Sequence, residues 1–370
     1  MAPLAARLAQ LIREAGPLTL AQYMTLCLHD PAEGYYATRP ALGAGGDFIT
    51  APEVSQMFGE LIGVWAVSVW DAMGRPAPVR LAELGPGSGA LMADLLRAAR
   101  AEPAFLAAAD LWLVETSPPL RQAQAARLAG RDLTFADSLE QVPDGAPLIV
   151  IGNEFLDCFG ARQFVRRDGT WLEHRVGLDG GDRFVLGLSP PPSGLEAPED
   201  APEGAVLEIS PAQEALAEAL GARIARDGGA ALLIDYGRDR FAYGDTFQAL
   251  AGHRKVDPLA TPGAADLTIH VDFPAVAAAA RRGGARTSPI TAQGLFLRRL
   301  GLETRAAALA ASALRSGRAD LADRIGRQLR RLVDPAEMGA LFQVLAVHAL
   351  AGDPPGFADP SPAENAEETR

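Results

Sequence analysis

The sequence predicts an α/β fold: a parallel sheet with helices on both faces, preceded by a mostly helical segment and interrupted by a β-hairpin and helical insertions. Three observations carry this. A short apolar run, Val79–Leu84, leads into the glycine-rich loop Gly85-Pro-Gly-Ser-Gly89 and then a helical pattern from about Ala90 to Arg100. Further apolar runs alternate with helical stretches over the next 150 residues. Before residue 79 the apolar residues recur at helical rather than strand spacing. Strand–helix alternation is the signature of a parallel, Rossmann-like sheet, which binds ligands at the carboxyl ends of its strands.

Residues 1–78 form one segment expected to pack on the core. Leu4, Leu8, Leu11 and Ile12 share a helical face, and Gly16-Pro17 ends that helix. An amphipathic helix is the plainer reading of this start, with a transit peptide as its rival. Thr19 is placed to cap a second helix running to Leu28, and the breaker-rich stretch His29 to Asp47 follows as a loop. Residues 53–73 return to a helical pattern with large apolar side chains.

Residues 79–350 form the core with its insertions. After the glycine loop come a strand at Leu111–Glu115, a helix at Pro118–Leu128, a strand at Leu133–Ala136 and a strongly apolar strand at Pro147–Ile151. Residues 161–190 alternate as a β-rich insertion, with Asp168-Gly169 as a hairpin turn. Pro190 to Pro202 reads as a surface loop, Pro211–Arg226 as a helix, and Ala230–Asp235 as a further strand. Residues 274–350 read as mostly helical, and the tail 353–370 as disordered.

Composition narrows the function. With 48% hydrophobic and 22% charged residues, the chain is globular. A net charge of −12 argues against binding nucleic acid, which requires phosphate neutralisation. Two cysteines without a CxxC, and five scattered histidines, give neither a disulfide framework nor a metal site. No apolar run reaches the ~18 residues of a membrane span, so no membrane insertion is expected.

The glycine loop is the candidate cofactor site. Gly85, Gly87 and Gly89, with Pro86 and Ser88 between them, allow the main chain to approach a ligand closely. Glu83 ends the first strand, where it can meet the amino group of a methionyl moiety. Glu115 ends the second and suits both hydroxyls of a ribose, and Asp137 follows the third near an adenine edge. The acid two residues before the first glycine favours S-adenosyl-L-methionine (SAM). A nicotinamide or flavin dinucleotide is the rival, and a strand–helix turn with no ligand is the bland alternative.

The loop after the fourth strand, Gly152-Asn153-Glu154-Phe155-Leu156-Asp157, faces the reacting end of such a cofactor. Carboxylates there suit a guanidinium acceptor, which they pair with bidentately and orient. Glu154 and Asp157 are therefore candidate catalytic residues, and Asn153 a cofactor contact. Acids near a helix start serve equally well as caps, and spacing alone does not separate the two readings. Asp235-Tyr236-Gly237 and the pair His270 and Asp272 end or follow further apolar runs and are candidates for lining the site.

Beyond these local patterns, the chain resembles the MidA-type methyltransferases, whose mitochondrial members are complex I assembly factors acting as protein arginine methyltransferases. The resemblance rests on Gly46-Asp-Phe-Ile-Thr-Ala-Pro-Glu-Val-Ser-Gln-Met-Phe-Gly-Glu60, Glu83-Leu-Gly-Pro-Gly-Ser-Gly89, Val114-Glu-Thr-Ser-Pro118, Asn153-Glu-Phe155, Ile234-Asp-Tyr-Gly237 and His253-Arg-Lys-Val-Asp257, with His270-Val-Asp-Phe273 and Asp334-Pro-Ala-Glu-Met338 extending it. It implies a Rossmann-like SAM-dependent methyltransferase core, SAM as cofactor, and a protein substrate presenting arginine, such as a complex I subunit. It also implies a cover over the cofactor that includes Asp47, Phe48, Thr50 and Glu53. One departure stands out: the family commonly has a proline where this chain has Gly160. The expected location is the cytoplasm of a bacterium, or the mitochondrial matrix in a eukaryote, and a homo-oligomer is left open. A small-molecule methyltransferase and a non-catalytic SAM-binding assembly chaperone are the alternative functions.

Overall fold

The computed structural model describes residues 2–38 and 50–357. Its centre is a sheet of six long strands: β1 (Val79–Leu84), β2 (Ala109–Val114), β3 (Leu133–Ala136), β4 (Leu148–Asn153), β5 (Gly229–Arg238) and β6 (Phe342–His348). The spatial order is β3-β2-β1-β4-β5-β6, with two-residue strands extending the β6 edge. All neighbours are parallel except β6, which runs antiparallel to β5. Strand order reverses between β1 and β4, which makes the crevice beyond their carboxyl ends the binding position of an open α/β sheet.

Alternate side chains of these strands enter two separate cores. Leu81, Ile149, Ile151, Leu232, Ile234 and Val344 face one side, with the helices α3 (Gln56–Ala72) and α4 (Ala90–Ala98). Ala82, Leu84, Val150, Leu233 and Leu345 face the other, with α6 (Pro211–Asp227) and α7 (Phe273–Arg282). Because both faces are buried, the strands read as continuous apolar runs rather than alternating ones. Gly59 and Gly63 let α3 lie directly on α4: a Cβ on either would come within 2.6–2.7 Å of Asp94 or Leu95.

Two expectations need correction. Residues 274–350 do carry α7, α8 (Leu302–Arg315) and α9 (Ala319–Val333), but they end in β6, all seven residues of which are buried. A fully buried strand has no period-2 pattern, so its sequence cannot be told from a buried helix by periodicity. The disordered tail does not begin at Asp353: Phe357 is buried against Phe296, and residues from 358 onward lie outside the described residues.

The boundary at residue 78 does not follow the packing either. Helices α1 (Leu4–Ala15) and α2 (Leu20–His29) bury Leu8, Tyr23 and Met24 in a satellite core with Val176 and Leu267 of the β-rich insertions. Helix α3 instead belongs to the main sheet. Thr19 caps α2 through a full capping box with Gln22, whereas Leu11 faces solvent. The hairpin forms as expected, Arg162–Arg167 pairing with Thr170–Leu178 around Asp168 and Gly169, both at positive φ. A second small sheet, Gln248–Ala251, Arg254–Val256 and Asp266–Thr268, was not legible in advance.

Candidate active site

The glycine loop turns sharply off β1. Gly85, Gly87 and Gly89 take φ values of 59°, 54° and 76°, in the region that favours glycine. At Gly85 space is a second constraint, since a Cβ would lie 2.8 Å from the Phe155 ring. The side chain of Gln124, on α5 (Pro118–Arg127), ties the loop to the next strand. It donates to the Gly87 carbonyl at 2.8 Å and to Glu115 Oε2 at 3.2 Å.

A cleft of about 760 Å³ opens beside this loop, within the ~300–1,000 Å³ usual for small-molecule sites. It is lined by Gly85 and Gly87, Glu115 and Asp137, Glu154 and Asp157, Thr50, and small or apolar residues of α6. A narrow recess beneath the loop adds Glu83, Pro86, Ser88, Asn153 and Glu53. Most of the sequence-predicted residues therefore converge, but Gly89, Asp235 and Gly237 line neither space, and four more stand apart. Asp47 and Phe48 lie outside the described residues. His270 and Asp272 are absent from the cleft. The His270 ring packs edge-on against Tyr236 at 5.7 Å, and Asp272 caps α7 by accepting the Ala275 N–H at 3.0 Å. Asp272 instead borders a separate cleft between the hairpin sheet and α6 and α7. An aspartate directly before a helix is a strong cap, and here that role decides its place.

Electrostatics divides the acids. Glu83 is buried, and burial pushes its carboxyl up to about 8, with the Met92 N–H opposing and the nearby Glu115 charge adding. Among the described residues its Oε2 has no partner, nor does the buried Asn153 Oδ1 in the same recess. Two acceptors left open side by side fit the ammonium of a methionyl group. Glu115, raised by burial, accepts the Ser117 N–H at 2.8 Å. Asp137 sits on the exposed rim, bound by Arg121 at 2.7 Å. The Ser88 hydroxyl donates to Glu53, which ties the turn Ala51–Val54 to the glycine loop.

The loop after β4 is held from three sides. Glu154 sits at φ 50°, an uncommon value for a residue other than glycine, asparagine or aspartate. Its Oε1 accepts the Ala51 N–H at 3.1 Å and Asn153 Nδ2 at 3.2 Å. One oxygen of the buried Asp235, Oδ2, accepts three successive N–H groups, Phe155, Leu156 and Asp157, at 3.0, 2.8 and 3.2 Å. Gln213 of α6 donates to the Leu156 carbonyl at 2.8 Å. Burial pushes Glu154 up to about 7, and the Asp157 charge adds to this. Burial pushes Asp157 to about 6, restrained by the Tyr236 hydroxyl that donates to it. Burial and the Asp157 and Glu154 charges raise Asp235, against the N–H groups it accepts.

At Gly160, where the expected family pattern has proline, the backbone of Ala21 in α2 lies 2.7 Å from where a Cβ would be. The glycine lets α2 pack directly on the end of this loop. Sequence reasoning missed His29 and Tyr36, which also line the cleft, and Asp266, which accepts the Tyr36 hydroxyl at 2.9 Å. No local pattern marks them, because they reach the site only through the satellite core.

The switch-point crevice, the glycine loop and the acid at each strand end define a SAM-dependent methyltransferase. The comparisons agree: the chain belongs to the family of S-adenosyl-L-methionine-dependent methyltransferases whose model matches residues 61–291. It is 38% identical to the mitochondrial protein arginine methyltransferase NDUFAF7 homolog of Drosophila melanogaster, over 93% of this chain and 84% of that one. Against human NDUFAF7, a mitochondrial protein arginine methyltransferase, the identity is 34%, over 93% and 83%. A crystal structure of a Burkholderia thailandensis protein bound to S-adenosyl-homocysteine superposes with a TM-score of 0.82 at 28% identity, covering 98% of this chain and 96% of that one. Among the described residues, no helix is long and apolar enough to cross a membrane.

Proposed function

We propose that this enzyme methylates arginine on a protein, with Glu154 and Asp157 gripping the acceptor guanidinium. One observation carries the reading. Six carboxylates (Glu115, Asp137, Glu140, Glu154, Asp157 and Asp266) line the cleft, and among the described residues no lysine or arginine does. Such a surface suits a cationic acceptor. The names of the relatives point the same way, and the family resemblance makes a respiratory complex I subunit the first acceptor to try.

Bound SAM supplies an activated methyl group. In this reading Glu83 and Asn153 take the methionyl ammonium, Glu115 the ribose hydroxyls, and Asp137 the adenine edge. Thr50 and Glu53 belong to the cover. Glu154 and Asp157 align one guanidinium nitrogen and localise its charge, which matters because methyl transfer depends heavily on positioning. Methylated arginine remains a cation, so one proton must leave, and a Glu154 carboxylate titrating at about 7 is matched to accept it. The Tyr236 hydroxyl holds Asp157 in place from behind.

The test is labelled-SAM transfer into an extract from cells lacking the protein, followed by identification of the modified residue. Label on arginine, with Glu154→Gln reducing transfer about 100-fold while SAM still binds, is the expected outcome. Label on another residue type or only on a small molecule would refute the assignment.

A further inference from the structure

Helices α8 and α9 carry a charge pattern unlike the rest of this acidic chain. Between residues 315 and 331 stand six arginines (Arg315, Arg318, Arg324, Arg327, Arg330 and Arg331) against two carboxylates, Asp320 and Asp323. All six except the partly buried Arg331 are exposed. Among the described residues none of them lies within 4.0 Å of a carboxylate, whereas the neighbouring Arg305 is paired with Glu60 at 2.9 Å. Arg324, Arg327 and Arg331 fall at i, i+3 and i+7, so they share one stripe of α9, about 10 Å long at 1.5 Å per residue. The opposite face, with Ile325, Leu332 and Val333, is buried in the main core.

Asp320 and Asp323 stand four residues before Arg324 and Arg327, a spacing that supports a helix, but neither pair closes to 4.0 Å, so folding accounts for the stripe only in part. Arg330 and Arg331 complement the dipole at the end of α9, but Arg324 and Arg327 lie earlier. Like charges three or four residues apart destabilise a helix. The stripe does have a direction. Helix α9 packs against the turn Ala51–Val54, whose first N–H donates to Glu154. Arg331 is near enough for its charge to act on Glu154. The basic face thus has Arg331 at the end nearest Glu154, with the exposed Arg327 and Arg324 farther along the helix.

We propose that the Arg324–Arg327–Arg331 face docks an acidic segment of the methyl-acceptor protein, flanking the side chain that enters the cleft. This rests on the acceptor being a protein. The charges fit an acidic chain continuing out of a site that itself takes a cation. A lipid surface fits less well, because the apolar side of α9 is buried and unable to insert. Docking of this kind raises the encounter rate and lowers KM without touching the chemical step.

The test uses the full-length enzyme and two synthetic peptides, each with a single arginine flanked on both sides by a block of either aspartates or asparagines about three residues away. For the wild type the aspartate peptide should have a KM about three- to tenfold lower at equal kcat, and the gap should close in ~0.5 M salt. Arg324→Ala/Arg327→Ala should erase the preference, with SAM affinity unchanged as the check on folding. Arg324→Glu/Arg327→Glu should transfer it to a lysine-flanked peptide. Equal KM values for both peptides would overturn the docking surface and leave the arginine reading standing. If SAM binds but neither peptide is methylated, the peptide-acceptor reading falls and takes the docking surface with it. Phosphatidylserine vesicles retaining the wild type but not the double alanine variant, with no peptide preference, would reassign the stripe to lipid and overturn the proposal.

Discussion

Asp235→Asn tests whether the catalytic loop is held by one buried carboxylate. In the wild type, Oδ2 accepts three loop N–H groups at 2.8–3.2 Å and Oδ1 accepts the Tyr236 N–H at 2.9 Å. Asparagine keeps one acceptor. If its oxygen faces the loop, its amide confronts the Tyr236 N–H; turned over, three loop donors lose their partner instead. The first arrangement costs less: the Tyr236 N–H and the new amide face each other unpaired, about 1–3 kcal/mol for each buried donor, and the three loop bonds weaken in addition. Among the described residues Asp235 makes no hydrogen bond to the glycine loop, so SAM affinity by calorimetry should stay within about threefold. The kcat should fall about 10- to 100-fold, because small displacements of a positioning group are costly. Unfolding in urea supplies the stability loss. A variant with the expected loss of stability and an unchanged kcat would refute the argument that Asp235 positions Glu154 and Asp157.

Three further predictions concern titration. In the proposed clamp Glu154 and Asp157 act ionised, and burial raises them to about 7 and about 6, so kcat/KM should climb as pH rises across this range. As a close pair they should show joint apparent values, and Glu154→Gln should leave a single limb at the lower pH. A profile flat from pH 5.5 to 8 would contradict the ionised clamp. Glu83, at about 8, is mostly protonated at neutral pH. An ammonium seated against it should expel roughly one proton per SAM bound at pH 7, read by calorimetry in buffers of different ionisation enthalpy, and Glu83→Gln should expel almost none. The sign for the ligand-free protein follows from the raised value: Glu83 contributes stability that is full below about 4.5 and is lost as pH rises toward about 8. A melting temperature insensitive to pH over that window, in the wild type as in Glu83→Gln, would argue against a buried, unpartnered carboxylate.

The parallel strands, the glycine loop and the acids at the strand ends are legible in the sequence. Each is local: a strand is a run of adjacent residues, and the residue ending it must face the crevice. Thr19 as a helix cap and Asp168-Gly169 as a turn were legible for the same reason. Tertiary structure alone decided what distant segments bring together. Phe342–His348 becomes a strand because both its faces find partners in the two cores, a fact its uniform apolarity does not encode. Helices α1 and α2 leave the main sheet for the satellite core, which carries His29 and Tyr36 to the cleft. His270 and Asp272 resembled site residues by position and serve as a ring contact and a helix cap. Glu154 and Asp157 could be caps or catalysts on spacing alone. Only the fold shows that no helix starts after this loop and that both carboxylates line the cleft, which is the ground of the proposed clamp.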